Sequence, residues 1–159
     1  MEPQIKTIEE KFLIGMSKEM SIIENHTFQL FSSFMPRKKE IQNLKSQDIY
    51  DLIIYPKGYF LTFDPTAYFK KHALVEIENF DNVPDGLESF TLPKGKYAVF
   101  ISKGHVPNQE IFQYIYSTWL PNSDFQLDDR PHFDILSAKI QQKAPDAQQE
   151  IWIPVSLKK

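Results

Sequence analysis

Two stretches near the C-terminus, Asp128-Asp129-Arg130-Pro131-His132-Phe133-Asp134-Ile135-Leu136 and Glu150-Ile151-Trp152-Ile153-Pro154-Val155, decide how this chain is read. Both alternate with the period of two that marks a strand half-covered by a core. Asp134 falls on the same strand face as Leu136, and Glu150 on the same face as Trp152. If the two strands pair, two carboxylates share a surface with an indole. Such a surface suits a flat, lipophilic cation, which an aromatic face attracts by roughly 0.5–2 kcal/mol.

Working outward, these strands close the second of two passes of strand, helix, strand, strand. That pass opens at residues 87–102, a hairpin-like pair turning at Pro93-Lys94-Gly95. A helix is predicted over 108–120, with Pro107 in its first turn and Pro121 ending it. Strands over 133–140 and 150–155 follow. In the first pass, residues 5–20 are extended. Asn25 or Thr27 caps a helix reaching about Leu44, with Phe28, Phe31 and Phe34 on one stripe and a kink at Pro36. Strands over 49–55 and 73–80 complete it. The expectation is an α+β fold built from a duplicated β-α-β-β unit. Its two main helices lie on one face of an antiparallel sheet, with a groove between them. Residues 1–159 form one domain with pseudo-repeat halves of about 1–80 and 81–159. The aromatic stretch 58–71, with Tyr59, Phe60, Phe63, Tyr68 and Phe69, is either a cover over an apolar site or packing at the core edge.

Bulk composition removes several function classes. The chain has 159 residues and a formal net charge of −3, which argues against general nucleic-acid binding. It contains no cysteine, so disulfides, thiol nucleophiles and Cys-ligated metal are excluded. His26, His72, His105 and His132 form no pair at metal-ligand spacing, and no metal or cofactor is expected. Neither a phosphate-cradling glycine loop nor a Gly-x-Ser-x-Gly elbow occurs. No signal segment and no span of about 18 apolar residues is seen, so a cytoplasmic protein without membrane contact is expected. The basic run Arg37-Lys38-Lys39 reads as a solvated helix face.

The groove is assigned one aromatic wall and one acidic floor. Phe112, Tyr116 and Trp119 are placed toward it, because Tyr and Trp offer both a ring and a donor. Ile111, Ile115 and Leu120 then pack on the sheet; the reverse assignment stays open. Asp134, Glu150, Leu136 and Trp152 form the floor, and Tyr55 and Tyr97 are further wall candidates. A partly buried carboxylate without Lys or Arg is costly, and a cationic ligand removes that cost.

The order Pro-x-Phe-acid-x-Leu at 131–136, an acidic loop with Pro145, then Glu-Ile-x-Ile-Pro-Val at 150–155 resembles the end of the GyrI-like family. Leu92-Pro93-x-Gly95-x-Tyr97-Ala98-Val99-Phe100 and Trp119-Leu120-Pro121-Asn122-Ser123 extend the resemblance upstream over nearly the whole chain. That family includes the effector-binding domains of AraC- and MerR-type multidrug regulators. It usually carries Glu where this chain has Asp134, one methylene shorter. The resemblance implies a stand-alone effector-binding domain that binds a small molecule, for sensing or sequestration. No helix-turn-helix segment precedes Ile5, so no direct DNA binding is expected. The resemblance to gyrase inhibitors leaves a protein partner open. An alternative is a hydrolase of small electrophilic compounds, with Glu150 or Asp134 as general base and Tyr116 or Tyr97 as donor. A purely structural interaction module is a third reading, and it requires a filled groove.

Overall fold

The computed structural model describes residues 2–103 and 109–159. His105, Pro107 and the expected helix start at Asn108 lie outside the described residues. The described residues form nine strands: β1 (Gln4–Ile8), β2 (Lys11–Met20), β3 (Leu44–Ile54), β4 (Phe69–Ile77), β5 (Glu88–Leu92), β6 (Gly95–Lys103), β7 (Phe125–Leu127), β8 (His132–Leu136) and β9 (Gln148–Leu157). All pairings are antiparallel, in the order β1-β6-β9-β8-β3-β4-β2-β5, with β7 added on β9.

That order reads the same from either end when β1, β2, β3 and β4 are exchanged with β5, β6, β8 and β9. The β3–β8 seam lies at its centre, and there Asp51 stands directly opposite Asp134. The expected hairpin at Pro93-Lys94-Gly95 is corrected. β5 pairs with β2 and β6 pairs with β1, so β5 and β6 part after the turn. Two-residue links join β1 to β2 and β5 to β6, although these strands lie at opposite ends of the sheet order. The sheet must curl to bring its two ends that close. Inside the curl, Leu13, Tyr50, Leu52, Leu74, Leu92, Tyr97, Phe133 and Trp152 form a continuous core.

The other face of the sheet carries the helices. Helix α1 (Thr27–Phe34) begins where the Asn25 side chain accepts the Thr27 N–H at 2.9 Å. It buries Leu30 and Phe34 against Ile14, Ile49, Ala73 and Val75. Phe28, expected on that stripe, is 80% exposed. Pro36 lacks the N–H that a further α-turn needs, and the chain tightens into a 3₁₀ segment over Met35–Glu40. Helix α2 (Gln109–Tyr114) passes into a π-turn over Ile115–Trp119, then α3 (Leu120–Asn122). The Leu120 N–H reaches back to the Ile115 carbonyl, one residue further than an α-helix allows. This widening lets the helix run on through Pro121, which therefore does not end it. Helix α4 (Ala138–Gln141), capped by Ser137, replaces the expected continuation of the strand to residue 140. The α+β expectation of two main helices on one face of an antiparallel sheet holds.

Candidate functional site

Beside the α2 segment, above the β3–β8 seam, lies a cavity of about 320 Å³. Its floor is set by strand parity. Asp51 and Ile53 of β3, His132 and Asp134 of β8, Lys71 of β4, and Ile151 and Ile153 of β9 all point to the helix-bearing side. Phe112 and Tyr116 of the α2 segment form one wall. Tyr55 and Phe60, from the loop between β3 and β4, form another.

The aromatic walls brace one another. Phe60 stacks on Tyr116 at 5.5 Å between centroids and on His132 at 5.4 Å. Tyr55 meets the His132 ring edge-on at 4.8 Å. The Tyr116 hydroxyl lies 3.3 Å from His132 Nδ1, a hydrogen bond whose direction follows the imidazole tautomer. Burial, and then the nearby Arg130 charge, hold His132 neutral down to about 3. Burial also raises the Tyr55 and Tyr116 hydroxyls above the ordinary phenol range. At neutral pH these three groups are therefore uncharged walls.

The acids are the chemically active part of the floor. Lys71 Nζ lies 3.4 Å from Asp51 Oδ2 and donates to Thr27 Oγ1 at 3.1 Å. Asp134 meets no cation within ion-pair distance among the described residues. Its partner is the Gln149 amide, which donates to Oδ2 at 2.9 Å. Burial first, and then the Asp51 charge across the seam, push Asp134 up to about 7, against the pull of Lys71 and the Gln149 bond. Burial also raises Asp51, while Lys71 opposes that rise. The cavity thus holds one carboxylate with an internal counter-ion and one without.

The register separates the residues that the sequence reading grouped. Asp134 stands opposite Ile151, and Ile135 opposite Glu150. Asp134 and Glu150 therefore lie on opposite faces, which corrects the shared carboxylate surface. Glu150 accepts the Trp152 indole N–H at 3.0 Å on the far side. Trp152 borders the cavity, but its ring stacks on Phe133 at 5.2 Å and takes Lys6 Nζ over it at 5.7 Å. Tyr97 lies in the core inside the curl, its hydroxyl donating to the Pro131 carbonyl at 2.8 Å. Leu136 packs with the α1 core. Trp119 joins Ile111 and Ile115 on the sheet side, edge-on to Phe100 and stacked on Phe125.

Of the expected wall and floor, Asp134, Tyr116, Phe112 and Tyr55 meet at the cavity. Phe60 comes from the stretch whose aromatics were read as either a cover or core-edge packing. Asp51, Lys71 and His132 were not singled out. Asp51 carried a usable signal, a charge on the same strand face as Ile49 and Ile53. Lys71 carried none.

Comparison with known proteins places the chain. Residues 4–155 match the family model of the integron-associated effector binding protein, and the chain belongs to that family. It is 29% identical over 145 residues to the transcriptional regulator BrlR of Pseudomonas aeruginosa, covering 90% of this chain. The chain spans about half the length of that curated relative, 51%. A putative bacterial transcription regulation protein from Staphylococcus aureus has the same fold, with a TM-score of 0.71 at 18% identity over 98% of this chain and 99% of that one. So does SAV2435, solved bound to tetraphenylphosphonium, with a TM-score of 0.70 at 18% identity over 98% and 94% of the two chains.

Proposed function

We propose that this member of the integron-associated effector-binding family is a small-molecule receptor whose ligands are lipophilic cations, acting in sensing or sequestration. The observation that carries the reading is Asp134, a carboxylate on the floor of an aromatic cavity whose one hydrogen-bond partner among the described residues is an amide. A ligand cation supplies the charge that the fold withholds. The ring faces of Tyr55, Phe60 and Tyr116 add apolar contact and attraction for positive charge. The cavity volume falls in the range of small-molecule sites. That SAV2435 has this fold and was solved with a lipophilic cation supports the choice of ligand class. Likeness to a bacterial regulator supports a cytoplasmic place of action. Of the hydrolase alternative's two candidate bases, Glu150 lies across the sheet from the cavity; for the Asp134 and Tyr116 version that remains, the match to an effector-binding family supports ligand binding over hydrolysis.

The test is titration of tetraphenylphosphonium by calorimetry. Only the ionised carboxylate attracts the cation, so a group held near 7 makes affinity rise with pH. About a tenfold gain is expected between roughly pH 6 and pH 8, with proton release near pH 7. Asp134→Asn should abolish that slope and weaken binding at the higher pH. Equal affinity of the variant and the parent at that pH would refute the reading.

A further inference from the structure

Ala73 stands opposite Asp51, and Ile151 stands opposite Asp134. Two residues back along each partner strand, on the same face, are Lys71 and Gln149. The two halves of the sheet therefore present the same device, a carboxylate met by a long side chain from the neighbouring strand. In one half that side chain is a lysine 3.4 Å from its carboxylate. In the other it is a glutamine at 2.9 Å. The two carboxylates are directly opposed across the seam, which puts their Cβ atoms about 4.5–5.5 Å apart. His132, the remaining titratable imidazole of the lining, is neutral.

From this asymmetry we infer that Lys71 sets the valence of the ligand: the cavity offers one uncompensated negative charge and selects monocations over dications. The inference rests on the cation-receptor reading above. Lys71 is only 13% exposed and is anchored on Thr27 as well as Asp51, so it stays in the site as a fixed counter-ion. A second positive centre on a ligand meets Lys71 instead of a free carboxylate. At an effective dielectric near 20, one unit charge a few ångström away changes affinity by roughly tenfold or more. The glutamine arrangement is already accommodated by this fold at position 149. Lys71→Gln therefore copies the second half into the first and frees Asp51 as a second anion.

The probes are 1-methyl-4-phenylpyridinium and 1,1′-dimethyl-4,4′-bipyridinium, nearly isosteric and different by one charge. Each is titrated at about pH 8 into the parent chain and four variants, Lys71→Arg, Lys71→Gln, Gln149→Lys and Asp134→Asn, with thermal unfolding as the check on folding. The parent should prefer the monocation by about tenfold or more, and Lys71→Arg should keep that ratio. Lys71→Gln should shift the ratio toward the dication by about tenfold or more. Gln149→Lys should weaken the monocation by a similar factor, because it pairs off Asp134. A parent that prefers the dication, or a folded Lys71→Gln with the parental ratio, overturns the inference. If Lys71→Gln does not fold, unchanged monocation binding by Gln149→Lys overturns it. Monocation binding that is absent from the parent, or that survives Asp134→Asn, removes the receptor reading as well. Asp134-dependent monocation binding with no shift in Lys71→Gln removes the valence inference alone.

Discussion

Replacing Asp134 with Asn should stabilise the unliganded protein, and by an amount that depends on pH. The native fold holds this carboxyl near 7, against 3.8 for a free aspartate, chiefly by burial. A carboxyl raised on folding binds its proton more tightly in the native than in the unfolded chain. Stability therefore falls as pH rises from about 4 to about 7, and stays low above that. At 1.36 kcal/mol per tenfold, the ceiling on this cost is roughly 4 kcal/mol. Residual solvent at the cavity floor and relaxation around the charge reduce it, and we expect about 1–2 kcal/mol at pH 8. Asn removes the titration, keeps the shape, and leaves an oxygen to accept the Gln149 amide. The assay is urea unfolding of parent and variant near pH 8, 6 and 4, compared at equal m-value. The variant should be the more stable at pH 8, and the advantage should shrink toward pH 4. A variant no more stable than the parent at pH 8 refutes the reasoning. Asp134 would then be well solvated or already paired, and no ligand charge would be missing.

Two further outcomes follow from the packing. Trp119 packs on Phe100 and Phe125 and does not line the cavity, whereas Trp152 borders it. Ligand-induced change in tryptophan emission should survive Trp119→Phe and be lost in Trp152→Phe; a response that follows Trp119 would place the ligand elsewhere. A Cβ at Gly15 would sit 1.8 Å from the Ala73 carbonyl oxygen, so Gly15→Ala should cost roughly 3 kcal/mol by overpacking the β2–β4 contact. Urea unfolding reads it, and a loss within a few tenths of a kcal/mol would contradict that close approach.

The order of elements was legible in the sequence because it depends on local terms. The alternation around Asp134 and Trp152, the apolar periodicity of the helices and the Pro and Gly punctuation each act over a few residues. They suffice for an α+β duplication with two helices over a sheet. Parity within a single strand was equally readable: Asp134 does share a face with Leu136, and Glu150 with Trp152. What the sequence could not decide was how those faces meet. The β8–β9 register sets Asp134 against Ile151, and a slip of one residue would have put both carboxylates on one side. Trp119 was misplaced for a related reason. The π-turn before Pro121 changes the helical phase, and the indole rotates onto the sheet with Ile111 and Ile115. The meeting of Asp51 with Asp134, and Lys71's role beside them, arise only when strands far apart in the chain pair at the central seam. Their charges act on one another through a shared, poorly solvated cavity, and that proximity is a property of the folded sheet.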